Sequence, residues 1–404
     1  MSGARAAVNR CSASTVKTSR SSSRSASIPR AAAAAASAEA RAAPLAGGVV
    51  AAARADILGL TRAQLTATLA PFVDRPYRAG QIYEALHRRG AISWELMTDL
   101  GKGLRAALAE RFAIGLPRLV ERHDSADGTR KYLFGLADGA TIETVDIPDR
   151  DRHTLCLSSQ AGCALACKFC VTGYWGAGRN LTAAEIVGQV RAIAADEPLL
   201  GESLNLVFMG MGEPLHNLGE LRPAMEILSE RVSWRRITVS TAGVVPGIAE
   251  LAGWERRPNL AVSLHAPDDE RRSALMPINR TYPLALLLEA LRAYPLERGR
   301  RLTFEYILIR DFNDRLADAE ALARLLRPLR AKVNLIPTNP DPVLGEAMVP
   351  PAAAVVLAFQ RRLVERGLTT TVRRGRGDDV AAACGQLRAP GRAARGFRQG
   401  TLSF

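Results

Sequence analysis

No run of apolar residues approaches the ~18–20 that a membrane-spanning helix needs, which removes helical integral membrane proteins from consideration. Cysteine is scarce: six in 404 residues is too few for a scaffold built on disulfides. Acid is almost missing from residues 1–55, where Glu39 stands alone against seven Arg and one Lys. That stretch also lacks the apolar core of a secretory signal. It has no hydrophobic periodicity, nine Ser in its first 30 residues and a six-Ala run at 31–36. Such a composition cannot bury a core. We expect a disordered basic extension or an upstream start; a transit peptide is the second reading.

Apolar residues make up 48 % of the chain, enough for a large core. The formal net charge is +14, half of it in residues 1–55, so the body is mildly basic. That suits a polyanionic partner without requiring one. The length fits a large domain with an appendage.

Residues 56–120 read as a small helical domain. Apolar side chains recur at helical spacing over Arg62–Leu69, Ala79–Arg89 and Leu104–Phe112. Its polar faces are rich in Arg, as a solvated cap or an RNA-handling accessory domain would be. Residues 121–150 read as a β-hairpin linker: Asp127-Gly128 is a turn signal, and Lys131–Phe134 and Thr141–Ile147 alternate like strands.

From residue 151 to about 390 strands and helices alternate. Strands are expected at 154–159, 203–209, 236–241, 259–265, 302–309, 331–337 and 368–373. Helices are expected at 182–195, 219–230, 245–252, 283–293, 316–327 and 352–366. The first helix has a capping box, Thr182 with Glu185, and the last stops at Gly367. This is the pattern of an α/β fold, either a doubly wound sheet or a partial (β/α) barrel. In both, functional groups gather at the carboxyl ends of the strands. Residues 391–404 form a tail.

The motifs fall at those ends. Cys163, Cys167 and Cys170 follow the first strand, with Cys156 within it. Three thiolates so close suit zinc or an iron–sulfur cluster. Structural zinc wants two separated ligand pairs, whereas three thiolates on a four-iron cubane would leave one iron open, and the cluster is favoured. The second strand ends in Phe208-Met209-Gly210-Met211-Gly212-Glu213-Pro214, whose glycines let a ligand approach the backbone and whose Glu213 can accept hydrogen bonds from an ammonium. Later strands end in Ser240-Thr241-Ala242-Gly243, Ser263-Leu264-His265 and Pro337-Thr338-Asn339-Pro340, the lining of one pocket. The last strand runs into Arg373-Arg374-Gly375-Arg376, which suits phosphate contacts, and then Cys384. A barrel would bring Cys384 towards Cys156 as a thiol pair. Glu143, read alone, is an acid in a strand.

Cys163-Ala-Leu-Ala-Cys167-Lys-Phe-Cys170 resembles the CxxxCxxC signature of radical S-adenosylmethionine (SAM) enzymes. Within them the chain resembles the RNA adenine-C2 methyltransferases of 23S rRNA and tRNA, through Glu143–Pro148, Leu155–Cys163, Arg179–Thr182, Met209–Leu215, Thr238–Thr241, Ser263–Pro267, Asn334–Pro337 and Arg376–Leu387. The resemblance spans about residues 56–390. It implies a partial (β/α)6 TIM-like radical SAM barrel with a small N-terminal helical accessory domain. It implies that Cys163, Cys167 and Cys170 hold one [4Fe-4S] cluster whose open iron is chelated by SAM. Gly212, Glu213, Ser240, Ser263, Leu264, His265 and Asn339 would line the SAM site. Cys384 would carry the methyl group, Cys156 would resolve it through a disulfide, and Glu143 would accept the proton.

Carbon 2 of adenine has no lone pair to attack a sulfonium, so the implied route is radical: one SAM methylates Cys384, and a second is cleaved reductively to activate that methyl group. The implied partners are 23S rRNA at the peptidyl-transferase centre, tRNA, and an electron donor such as flavodoxin or ferredoxin. A cytoplasmic monomer without a membrane partner is expected, organellar if residues 1–55 are a transit peptide. The flipped base would leave the helical domain and the Arg373–Arg376 loop to contact RNA backbone. The rival readings are the sister enzyme acting on adenine C8, a non-catalytic RNA-binding protein with a four-thiolate zinc, and a simple electron carrier.

Overall fold

The computed structural model describes residues 54–196, 204–345, 348–373 and 375–388. The expectations for the basic extension, apart from its last two residues, and for the 391–404 tail lie outside the described residues. Near the amino terminus, β1 (Ala55–Asp56) pairs in parallel with β2 (Phe112–Ala113). Between them stand α1 (Arg62–Leu69), α2 (Tyr77–Glu84) and α3 (Lys102–Arg111). Thr61 starts α1 with a reciprocal box: its hydroxyl accepts from Gln64 N, and Gln64 Oε1 accepts from Thr61 N at 2.9 Å. The domain has its own core, centred on Ile57, Leu65, Leu69, Ile82, Leu86 and Met97.

One ten-stranded sheet organises the rest. Its strands are β3 (Arg118–Asp124), β4 (Arg130–Gly135), β5 (Thr141–Asp149), β6 (Arg152–Cys156), β7 (Leu204–Phe208), β8 (Ile237–Thr241), β9 (Asn259–Ser263), β10 (Leu302–Leu308), β11 (Ala331–Pro337) and β12 (Thr369–Val372). They lie side by side in chain order. From β6 to β12 every pairing is parallel; β3 to β6 are antiparallel. The stretch expected as a linker hairpin is therefore the leading edge of the same sheet, lengthened by β3.

The connections are α4 (Val171–Tyr174), α5 (Ala183–Asp196), α6 (Leu218–Leu228), α7 (Val245–Ala252), α8 (Asp269–Leu275), α9 (Leu284–Ala293), α10 (Leu316–Leu326) and α11 (Ala353–Glu365). Those expected from periodicity fall within a residue or two of their places. The Thr182–Glu185 box is formed: Glu185 N donates to Thr182 Oγ1 at 3.2 Å, and Thr182 N donates to Glu185 Oε2 at 2.9 Å. Gly367 follows α11 with φ +83°, the left-handed stop a glycine permits.

Strand alternation sets the layers. Along β10, Phe304, Tyr306 and Leu308 join the main core with the helices, while Glu305 and Ile307 face the lumen. A further apolar cluster, including Val171, Met276, Ile309, Phe312 and Met348, packs around the cysteine loop at the carboxyl end of the barrel.

Candidate active site

The lumen opens at the carboxyl ends of the parallel strands into a cavity lined by Cys163, Cys167, Cys170, Gly212, Glu213, Ser240, Ser263, His265 and Cys384. Nine of the thirteen residues expected at the site thus share one wall.

The cysteine loop is shaped by its backbone. Cys163 N donates to Gly176 O at 3.0 Å, and Cys170 N donates to Cys167 O at 3.1 Å. All three thiols are free. Burial pushes Cys163 up to about 12 and raises Cys167 and Cys170; Cys170 also raises Cys163 and Cys167, and Cys384 raises Cys170. Three buried sulfurs that resist ionisation want a cationic centre between them. Among the described residues no three His, Cys, Asp or Glu side chains converge on a single metal ion. Three thiols on one cavity wall suit a cubane, in which each thiolate binds a different iron. The residues present fit a cluster with one iron left open.

Gly212 and Glu213 sit where the β7 loop crosses the loop after β6. Gln160 Oε1 accepts from Glu213 N at 2.9 Å. Gly212 has φ +101°, and a Cβ there would stand 2.5 Å from Gln160 Cβ; only glycine fits. The Glu213 carboxylate accepts from Ala242 N at 2.7 Å and Leu215 N at 3.0 Å. Burial nevertheless lifts its pKa from 4.5 to about 7, with those bonds and Thr241 opposing. A ligand ammonium would pull it back.

This has a measurable consequence. Between pH 4.5 and about 7 the folded chain holds the Glu213 proton and the unfolded chain does not. Stability from this group therefore falls as pH rises through that window, by on the order of 3 kcal/mol. In urea denaturation of cluster-free protein at pH 5 and pH 7.5, Glu213→Gln is expected to flatten the slope by that amount. An unchanged slope would show that Glu213 is ionised throughout.

His265 is a buried neutral ring. Its Nδ1 accepts from Ile307 N at 3.1 Å, and burial lowers its pKa to about 3. Phe169 of the cysteine loop packs edge-on against it at 4.4 Å between centroids. Leu264 is the exception in its run: it is fully buried in the main core and does not line the cavity. Asn339 lines a neighbouring cavity with Thr338, Arg376 and Ala383, and Ile336, Arg373 and Cys384 line both.

Cys156 and Glu143 lie behind the wall. Cys156 is buried, its thiol pushed up to about 12 by burial and by Cys384 beside it. Glu143 lines neither cavity. Its carboxylate takes Lys131 Nζ at 3.3 Å and Arg388 N at 2.6 Å. Burial raises its pKa against the pull of Lys131 and Arg388.

The arginine loop differs from its expected role. Arg373 is directed into the barrel towards Cys384. Arg376 pairs with Asp127 at 3.1 Å and donates to Pro148 O. Arg374 lies outside the described residues. Two of the three arginines are thus engaged inside the protein.

Two site residues escaped the sequence reading. Arg272 of α8 is fully buried and donates to Ala242 O at 2.7 Å, Ser263 O at 3.1 Å and Asn279 Oδ1 at 2.6 Å. It ties the ends of β8 and β9 together beneath the cysteine loop. Glu305 of β10 is buried in the cavity wall, with one carboxylate oxygen lacking a partner. The only sequence signal was an acid inside an apolar strand.

An open parallel barrel whose strand ends gather three cluster-forming thiols, a glycine loop and a buried acid defines a radical SAM enzyme, which works with a [4Fe-4S] cluster and SAM. The Radical SAM superfamily profile matches residues 157–326. Residues 55–114 match the ribosomal RNA large subunit methyltransferase N-terminal domain. The dual-specificity RNA methyltransferase RlmN of Anaeromyxobacter dehalogenans is 47 % identical over 346 residues, covering 83 % of this chain and 92 % of that protein. RlmN of Syntrophobacter fumaroxidans is 49 % identical over 318 residues, covering 78 % and 92 %. The crystal structure of a radical SAM methyltransferase from Sphaerobacter thermophilus superposes with a TM-score of 0.79 at 46 % identity, covering 83 % of this chain and 99 % of that one. The chain belongs to the RlmN family of dual-specificity RNA methyltransferases. No helix among the described residues is long and apolar enough to cross a membrane.

Proposed function

We propose that this chain methylates carbon 2 of a specific adenine in 23S rRNA, and of an adenine in tRNA, through a methyl group carried on Cys384. The observation that carries the reading is the placing of Cys384: it lines the cavity of the cluster cysteines and also neighbours Cys156, a second thiol outside the set. A cluster alone needs only the first three.

The bound cluster supplies the electron that cleaves SAM reductively, and SAM supplies the methyl group. Cys163, Cys167 and Cys170 hold the cluster. Glu213 and Gly212 take the ammonium end of SAM, and Ser240, Ser263, His265 and Asn339 line the remainder of its site. The Cys384 thiolate would attack the methyl carbon of one SAM, the sulfonium–methyl bond breaking and S-adenosylhomocysteine leaving, to give an S-methyl thioether on Cys384. Glu143 accepts the proton lost from carbon 2. Burial raises its basicity, and it exchanges its bond from the Arg388 amide for the substrate. Once the methyl carbon on Cys384 is joined to carbon 2, Cys156 would attack the Cys384 sulfur, forming the Cys156–Cys384 disulfide and breaking the sulfur–methylene bond to free the RNA. The matched N-terminal domain, with Arg75 and Lys102 exposed on its surface, contacts the RNA backbone. A flavodoxin- or ferredoxin-type donor supplies electrons, and the enzyme works as a cytoplasmic monomer.

The test is nucleoside analysis of RNA from a host that lacks the modification. Expression of the chain is expected to give 2-methyladenosine in the rRNA and tRNA fractions, and expression of Cys384→Ala to give none. Finding 8-methyladenosine would move the activity to the sister reaction. Equal product from Cys384→Ala would remove the carrier role.

A further inference from the structure

Arg373 opens a basic loop in the sequence, but the sheet turns it inward. Its N–H donates to Leu335 O at 2.8 Å, prolonging the β11–β12 ladder past Val372. It therefore stands two residues beyond Thr371, on the same face of the sheet. That face carries a polar row. Ser263 is in register with Glu305, Glu305 with Asn334, and Asn334 with Thr371. Thr371 Oγ1 donates to Asn334 Oδ1 at 2.6 Å, and Asn334 Nδ2 donates to Glu305 Oε1 at 2.9 Å. The chain of bonds fixes Glu305 and leaves its second oxygen buried and unpartnered.

Arg373 lines both cavities with Cys384 and shares the first with Glu305, and the charge of its guanidinium is coupled to Cys384, then Glu305, then Cys156. Cys384 contributes most to keeping it charged, against the cost of burial. Arg373 also opposes the burial that raises the Cys156 thiol. One cation thus shares a cavity wall with a fixed carboxylate and with the Cys384 sulfur, and its charge reaches Cys156.

We propose that Arg373, which shares the cavity wall with Glu305 and Cys384, is a positioning residue that aligns the Cys384 sulfur with Cys156 for release of the RNA. The inference rests on the carrier and resolving roles proposed above. In that step the Cys156 thiolate attacks Cys384 Sγ. The S–S bond forms and the bond from Cys384 Sγ to the substrate methylene breaks. The electron pair leaves on that carbon, spreads into the purine ring and takes up a proton to complete the methyl group. The two sulfurs are oxidised by two electrons and the carbon is reduced by two. Arg373 holds the attacked sulfur in place and offsets charge on the attacking one. First methylation of Cys384 needs only the Cys384 sulfur and SAM, so the two half-reactions depend on the arginine unequally.

The test uses cluster-loaded enzyme with SAM, a one-electron reductant and an RNA fragment holding the target adenine. Three quantities are followed: methylation of Cys384 by peptide mass spectrometry, covalent chain–RNA species on a denaturing gel, and free methylated adenine. In Arg373→Gln the covalent species is expected to rise about tenfold or more over the parent chain, the scale of a lost hydrogen bond to a charged group. Cys384 methylation should fall much less. Arg373→Lys should recover part of the release rate. Glu305→Gln, which keeps the shape of the floor, should show the same bias more weakly, and it carries the test if Arg373→Gln cannot hold the cluster. Equal loss of methylation and release, with no covalent species, would overturn the proposal and leave Arg373 a structural strut. If Cys156→Ala in the parent chain traps no covalent species, the resolving role itself fails, and this inference with it.

Discussion

Cys170→Ala is expected to give colourless protein, with iron falling from about four per chain to near zero and no RNA methylation. Cys163, Cys167 and Cys170 line one cavity, and burial raises all three thiols, with Arg272 opposing it at Cys167. Removing one leaves two irons of the cubane without protein ligands, and the cluster is lost. The neighbouring cysteines give the contrast. Cys156 lies behind the wall, and Cys384 belongs to a different loop. Cys156→Ala and Cys384→Ala should keep their iron and visible absorbance. Metal analysis of the purified variants decides it. Loss of metal in Cys156→Ala would instead favour a site of four thiolates, in which Cys156 is the fourth.

Arg272→Met is expected to lower stability by about 2–4 kcal/mol, since it strips three buried acceptors of a charged donor. Arg272 is fully buried, and its bonds reach Ala242 O, Ser263 O and Asn279 Oδ1. Burial lowers its own pKa to about 10, which measures the opposing cost of holding a charge there. Methionine relieves that cost, which is why the expected loss is smaller than three separate bonds would suggest. The shift should appear as a lower urea midpoint with little change in slope. Arg272→Lys, which cannot fork between two strand ends, should recover only part of it. A midpoint equal to that of the parent chain would mean the arginine does not tie β8 to β9.

The barrel was legible because its strands are buried on both faces and its helices show one apolar stripe. From α5 to α11 the expected helices lie close to the observed ones for that reason. β3 was not legible. Every residue of Arg118–Asp124 is exposed, so burial imposes no alternation. It is an edge strand guarded by charges, and only its partner β4 makes it a strand. The thiols and the glycine loop announced themselves because few structural roles need such residues at such spacing. Arg373, Arg272 and Glu305 did not, because a charged side chain in one dimension looks like a solvent-facing one. Only the register of the sheet shows that the lumen, rather than water, lies on its other side. Glu143 is legible by resemblance alone. Its present partners, Lys131 and the Arg388 amide, hold the loop of Cys384 in place.

That loop is fastened by its main chain as well as by the side chains of Asp379, Gln386 and Arg388. Gly377 N donates to Asp127, Ala381 O accepts from Lys131, Gly385 O from Val171 N and Leu387 O from Thr172, and Arg388 N donates to Glu143. A peptide group is the same whatever side chain it bears. In a library randomised over residues 377–388, exposed Asp378 should therefore tolerate exchange. Substitutions at Asp127, Lys131, Thr172 and Glu143, none of them in the loop, should be rejected. Much of the information that places Cys384 is thus written elsewhere in the chain.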